Sequence, residues 1–265
     1  MDRCAQCGTA LAPAGKGRPR RYCTRACQAR AYRARKRAAP ARLPRPAALT
    51  PDRLTAAAVE LADRTGLEAL TMRRLATELG VPTTNLYRHV PSREALIVAM
   101  TDAVLDRIEP PGPDLDGWRP RLEHEAREEW RLYQRHPWVL PAVATSRPPM
   151  GRGLLADTER ILTGLARPGL DPRRLLSVYL AVSGLVQGIA LLPAAEAAAR
   201  ARADEPIEDW WRRRIDELSG LLDSGAYPHL AAHFGPEAAV VDFEALFEFA
   251  LTALLDGLES SVMST

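Results

Sequence analysis

The sequence predicts an all-α protein of two helical domains behind a small metal-binding head. Three observations carry this. From Thr50 onward, apolar residues recur at helical spacing and Gly or Pro separates the segments. No run alternates apolar and polar residues for long enough to make a strand. All four cysteines fall within the first 27 of 265 residues. Apolar residues make up 46% and charged residues 26%, which excludes wholesale disorder and fibrous repeats. The net charge of +3 hides an asymmetry: residues 1–49 hold 13 Lys and Arg against one acid, whereas the remainder holds 23 against 32. A head of +12 on a body of −9 calls for an anionic partner at the head.

Within the head, residues 1–38, Cys4-x2-Cys7 and Cys23-x3-Cys27 supply two thiolate pairs on short knuckles. This spacing lets each pair wrap one edge of a tetrahedron, so one structural zinc ion per chain is expected. A redox switch and an unmetallated head remain as alternatives. The run RYCTRACQARAYRARKR is similar to the second knuckle of a zinc ribbon or treble clef running into a helix, with Arg25, Arg30, Arg33, Arg35, Lys36 and Arg37 spread among alanines. Such a helix suits DNA phosphates, or an acidic protein. The N-terminus has no apolar h-region, so a cytoplasmic location is expected, and with it metal binding rather than disulfides. Residues 39–50 are a proline-rich linker.

A DNA-binding domain is expected over residues 51–108. Thr50 caps and Pro51 enters the first helix, whose stripe is Leu54, Ala58 and Leu61, with Gly66 as the stop. Thr71 opens a second helix over Met72, Leu75, Ala76 and Leu79, closed by Gly80. Val81 and Pro82 start a short third helix through Tyr87, and Pro91-Ser92 opens a fourth that runs to Ile108 before PPGP breaks it. Helix, glycine turn and short helix make a helix-turn-helix over LTMRRLATELGVPTTNLYRHV, residues 70–90. Further helices are expected near 117–135, 137–144, 151–166, 172–195, 206–223 and 242–261. Leu175–Ala195 is uncharged and long enough to raise the question of a membrane span. Ser177, Ser183 and Gln187 inside it favour a helix buried in a bundle or dimer, so no membrane partner is expected. G-x-S-x-G, P-loop, H-E-x-x-H and dinucleotide-loop motifs are absent, and no enzyme is expected.

The runs DRTGLEALTMRRLA and LYRHVPSREAL resemble the DNA-binding domain of the tetracycline-repressor (TetR) family of bacterial transcriptional regulators. RHPWVLPAVA, PPMGRGLL, GLDPRR, YPHLAAHF and FEFALTALLDGLE resemble its C-terminal domain, here 109–265. The resemblance covers residues 50–262. It implies a three-helix DNA-binding domain, a helical-bundle domain that binds a small-molecule effector, and a homodimer on a palindromic double-stranded DNA operator. It implies DNA contacts by Arg73, Thr83, Thr84, Asn85, Tyr87 and Arg88, with His89 and Arg93 on the phosphate backbone. It implies an effector pocket lined by Trp130, Tyr133, His136, Trp138, Met150, Leu154, Leu155, Thr158, Tyr179 and Gln187, with Arg131, Arg135 or Arg152 as anchors for an anionic ligand. The expected function is a one-component regulator, a repressor released by its effector; the alternative is a zinc-dependent protein-interaction adaptor with a vestigial helix-turn-helix.

Overall fold

A computed structural model describes residues 2–11, 21–38, 49–167, 170–203, 205–234 and 241–261. The chain divides into two compact units, Met1–Ala48 and Leu49–Thr265. Residues 39–48 of the expected linker lie outside the described residues.

In the first unit an antiparallel bridge joins Arg3 to Ala10 around a turn in which Gly8 adopts φ +75°. A helix follows, α1 (Arg25–Ala38). Thr24 starts it: its Oγ1 accepts the Cys27 amide at 3.2 Å, so Cys27 points back towards Cys23 from the first turn. Cys4, Cys27 and Ala31 are its buried apolar side chains.

The second unit is wholly helical among the described residues. Its DNA-binding part comprises α2 (Pro51–Thr65), α3 (Met72–Leu79), α4 (Thr83–Leu86) and α5 (Arg93–Leu105). The starts of α2, α3 and α5 are each set by a side chain: Thr50, Thr71 and Ser92 accept the amides of Arg53, Arg74 and Ala95 at 3.1–3.2 Å. Gly80 is left-handed (φ 64°, ψ 33°), and Gly80 N and Val81 N return to Thr77 O and Ala76 O. That paired closure turns the chain sharply into α4 and requires a residue without a Cβ penalty. Leu54, Leu61, Leu70, Leu75, Leu86 and Leu96 meet beneath it, each at most 1% exposed. The fourth helix ends at Leu105, not Ile108, and the expected domain boundary at 108 falls in the loop that follows.

The C-terminal part comprises α6 (Trp118–Arg135), α7 (Val139–Val143), α8 (Arg152–Leu165), α9 (Pro172–Ala203), α10 (Ile207–Leu222), α11 (Pro228–His233) and α12 (Phe243–Ser261). The uncharged segment lies in α9, which packs on α6, α8 and α12 through Val178, Val182, Val186, Ile189 and Ala190. Pro193 does not end this helix, which runs on to Ala203. The cost of the missing N–H is offset by the alanine-rich run after it, whose helix propensity is high. α11 was not foreseen in the sequence; it is a short piece begun by Pro228. The outer face of α9 is left open: Leu176, Gly184, Gly188 and Leu191 are exposed, as is Phe249 of α12, at 74%.

Candidate functional sites

Beyond Gly80 the helix-turn-helix presents Thr84, Tyr87, Arg88 and His89 to solvent, with Arg73 exposed on α3 and Thr83 and Asn85 half-buried. Tyr87 is 50% exposed although Leu86 beside it is fully buried, because a four-residue helix can seat only one side chain in the core while the next faces outward. α4 stops at Leu86, one residue before the expected end, and Tyr87 keeps an αR backbone. Arg93 is engaged within the protein: its Nε donates to Leu70 O at 3.0 Å and a terminal N–H to Leu67 O at 2.7 Å. These bonds tie the α2–α3 loop to α5 and draw the guanidinium towards the loop backbone.

In the C-terminal part a cavity of about 420 Å³ lies among α5, α6, α7, α8 and α9. Tyr133, Met150, Leu154, Leu155, Thr158, Tyr179 and Gln187 line it. Three expected residues do not, and each is spent elsewhere. Trp130 stacks on Phe247 of α12 at 4.7 Å between ring centroids and donates to Glu244 at 2.6 Å. His136, the residue that ends α6, and Trp138 both bond Asp63 Oδ1 of α2, at 2.8 and 2.7 Å. They join the DNA-binding part to the bundle. The arginines are also committed away from the cavity: Arg131 and Arg135 pair with Glu128, and Arg152 is exposed.

What the sequence reading missed is the polar end of this cavity. Glu129 Oε1 accepts from Tyr133 OH and Ser183 Oγ, each at 2.7 Å, and from Gln187 Nε2 at 3.5 Å. Burial pushes the Glu129 carboxyl up to about 7 and that of Asp157 to about 6. Burial likewise raises the Tyr133 and Tyr179 hydroxyls, which stay protonated donors. The signal was present as spacing: Glu125, Glu129 and Tyr133 recur four apart along α6, as Ser183 and Gln187 do along the otherwise apolar α9. A wider hollow of about 550 Å³ adjoins it, sharing Glu125, Glu159 and Ile161 and extending to Arg121, Ala156 and Gly164, and none of the expected pocket residues lines it.

The cavity is coupled to the DNA-binding part through α8. Asp102 of α5 accepts from the amides of Arg152 at 3.1 Å and Gly153 at 2.8 Å, capping the α8 N-terminus across the two parts. The approach is so close that a Cβ on Gly153 would stand 2.8 Å from the Asp102 Cα, so the position requires glycine.

In the head, the four sulfurs of Cys4, Cys7, Cys23 and Cys27 lie within 4.8 Å of one another. Sγ separations are 3.5 Å for Cys7–Cys23 and Cys23–Cys27 and 3.7 Å for Cys7–Cys27. Thiolates at about 2.3 Å around a tetrahedral ion stand about 3.8 Å apart, so this cluster can hold a metal ion. Backbone amides prepare one ligand: the Gln6 N–H above all, then those of Cys23 and Cys7, pull the Cys4 thiol down to about 6. Crowding by Cys7, Cys27 and Cys4 pushes Cys23 up to about 12, as expected where four thiols cannot all ionise without a cation.

A helix-turn-helix with an open reading face, coupled through shared hydrogen bonds to a bundle enclosing a ligand-sized cavity, defines a one-component DNA-binding regulator. Comparison with known proteins agrees. The model for bacterial regulatory proteins of the tetR family matches residues 54–100, and that for the tetracyclin repressor-like C-terminal domain matches 110–262. The HTH-type transcriptional repressor DrrR1 of Streptomyces coeruleorubidus is 41% identical over 229 residues, 83% of this chain and 80% of that protein. The class C tetracycline repressor protein of Escherichia coli is 29% identical over 210 residues, 78% of this chain and 90% of its own length. Among solved structures, the TetR family protein ActR of Streptomyces coelicolor in complex with actinorhodin aligns with a TM-score of 0.63 and 29% identity, over 81% of this chain and 98% of its own. The chain belongs to the TetR family and is a ligand-responsive DNA-binding transcriptional repressor. The adaptor alternative with a vestigial helix-turn-helix is set aside, since the DNA-binding region matches the tetR family model and the relatives are transcriptional repressors. Neither family model reaches the cysteine head.

Proposed function

We propose that the protein acts in the cytoplasm as a homodimer on a palindromic operator, that an effector entering the 420 Å³ cavity releases it, and that the head holds one zinc ion through Cys4, Cys7, Cys23 and Cys27. The observation that carries the regulatory reading is the Asp102 bridge: whatever displaces α8 also displaces α5, which sets the position of the helix-turn-helix. An effector shifts the operator equilibrium only by its differential affinity for the two arrangements, typically about 1–3 kcal/mol.

The outer face of α9, with Gly184 and Gly188 four apart, and Phe249 of α12 support a four-helix interface with a second copy. Such a dimer sets two recognition helices about 34 Å apart, one turn of DNA. Thr83, Thr84, Asn85, Tyr87 and Arg88 read bases, with Arg73 and His89 on phosphates. Zinc in the head supplies charge to hold four thiolates together and so orders a segment with little core of its own. The exposed Arg25, Arg30 and Arg33 of α1 then add phosphate contacts without reading sequence.

The test is anisotropy titration of the purified full chain on DNA flanking its own coding region. Specific binding is expected, and Arg88→Ala weakens it by about 1–3 kcal/mol with helix content unchanged. Equal affinity of Arg88→Ala and Tyr87→Ala variants with the parent would remove the assigned reading face. Sedimentation as a monomer at micromolar concentration would remove the dimer.

A further inference from the structure

We infer that the effector is a cation: an apolar molecule carrying a protonated amine that seats against Glu129. The inference rests on the reading of the 420 Å³ cavity as the effector site and goes further by naming the charge of the ligand. Three carboxylates, those of Glu125, Glu129 and Asp157, face this cavity, together with the more exposed Glu159. One guanidinium answers them: Arg160 pairs with both Glu125 and Asp157. Glu129 has no cation within ion-pair distance among the described residues, and the hydrogen bonds it receives from Tyr133, Ser183 and Gln187 all go to Oε1. Oε2 receives none from the described residues.

Most of the remaining wall is apolar, including Leu105, Ile108, Leu132, Val139, Val143 and Ile161. A carboxylate held in such surroundings without a counter-ion is costly, and its pKa near 7 expresses that cost. A ligand ammonium supplies the missing charge and a donor for Oε2, while its apolar body covers the walls. The neutral hydroxyls of Tyr133 and Tyr179 and the Gln187 amide leave capacity for hydroxyl or carbonyl groups on the same ligand. An anionic ligand meets no cationic side chain among the described lining residues: Arg160 is engaged twice, and Arg131, Arg135 and Arg152 lie outside the cavity.

Three fluorescent probes of one shape separate the possibilities: 9-(aminomethyl)anthracene, 9-anthracenemethanol and anthracene-9-carboxylate, titrated into the full chain at pH 7.5. The amine is expected to bind at least tenfold tighter than the alcohol and the carboxylate most weakly. Glu129→Gln, which keeps the Oε1 acceptor, should bring amine and alcohol within about twofold. Should that variant fail to fold, the unaltered protein decides through pH. The titratable groups sharing the cavity with Glu129 are Tyr133 and Glu125 on α6, Asp157 and Glu159 on α8, and Tyr179 on α9, with Arg160 of α8 paired to Glu125 and Asp157 behind them; α5 and α7 bring only apolar side chains to the cavity. Ionisation of Glu129 should raise amine affinity between pH 5.5 and 7.5 while alcohol affinity stays flat.

Equal binding of amine and alcohol at all these pH values, with both lost in a Leu154→Trp variant that fills the cavity and melts normally, would overturn the cationic effector and keep the cavity. No saturable binding of any probe, or binding of all three untouched by Leu154→Trp, would overturn the cavity reading itself.

Discussion

The head and the body are held together by opposite means. The body buries a continuous core from Leu54 to Leu255, in which every helix start of the DNA-binding part except that of α4 is capped by a side chain and removal of one contact leaves many. The head has Cys4, Cys27 and Ala31 buried and four thiols in a space of 4.8 Å. One unit is stable because apolar area leaves water; the other, with so little buried, is proposed to owe its order to an ion that gathers its sulfurs. Chemistry that neutralises the thiolates is therefore expected to act on the head, and packing defects on the body.

The largest expected effect breaks this comparison at the head. Structural zinc binding by small modules is worth about 10–16 kcal/mol, so Cys23→Ser should lose the metal and unfold residues 1–38. The body's helical signal and melting transition should not move. About one zinc per chain is expected by elemental analysis; metal-free protein with four freely titrating thiols would show that the head is ordered by other means. In the body, Phe247→Ala removes a fully buried ring stacked on Trp130 and should cost about 3–5 kcal/mol in denaturant unfolding, with zinc content unchanged.

A smaller effect sharpens the contrast inside the body, between core and cavity. Glu129 has its pKa raised from an ordinary 4.5 to about 7 by burial. Below pH 4.5 the carboxyl is protonated folded or unfolded and contributes nothing. Between 4.5 and 7 the unfolded chain ionises first, so the folded state loses stability as pH rises, by about 3 kcal/mol in all. Glu129→Gln should therefore flatten the decline of stability between pH 5 and 8 and make the protein more stable at pH 8. A pH profile identical to the parent's would mean that the carboxylate is solvated in the folded state.

Legibility in the sequence followed the range of the forces. Thr50, Thr71 and Ser92 as helix starts and Gly66 and Gly80 as stops are local choices of backbone geometry, readable from a few residues each. The cysteine spacing was readable for the same reason. The cavity wall was readable only in part, because a helix such as α6 has two buried faces. Trp130 turned to α12, whereas Glu129, one residue earlier and polar, turned inward. Arg93 carried a cationic side chain near the exposed residues of α4, yet the carbonyls of Leu67 and Leu70 engage it. Pro193 suggested an end that the alanines beyond it overrode.

The smallest expected effect tests whether the two units share a task. Residues 1–49 carry a balance of +12 while the rest carries −9, so the body alone approaches DNA against its own net charge. α1 holds Arg25, Arg30 and Arg33 in the open with no acid among its fourteen residues. If those three arginines meet phosphates, each releases about one counterion, and deletion of residues 1–46 should make the slope of log affinity against log salt shallower by about 3. Because such contacts read no bases, the loss should be alike on operator and random DNA, and below the cost of Arg88→Ala. Loss on the operator alone would give the head a part in reading sequence. Equal salt slopes for the full and shortened chains would detach it from DNA altogether and leave its charge to an acidic protein partner.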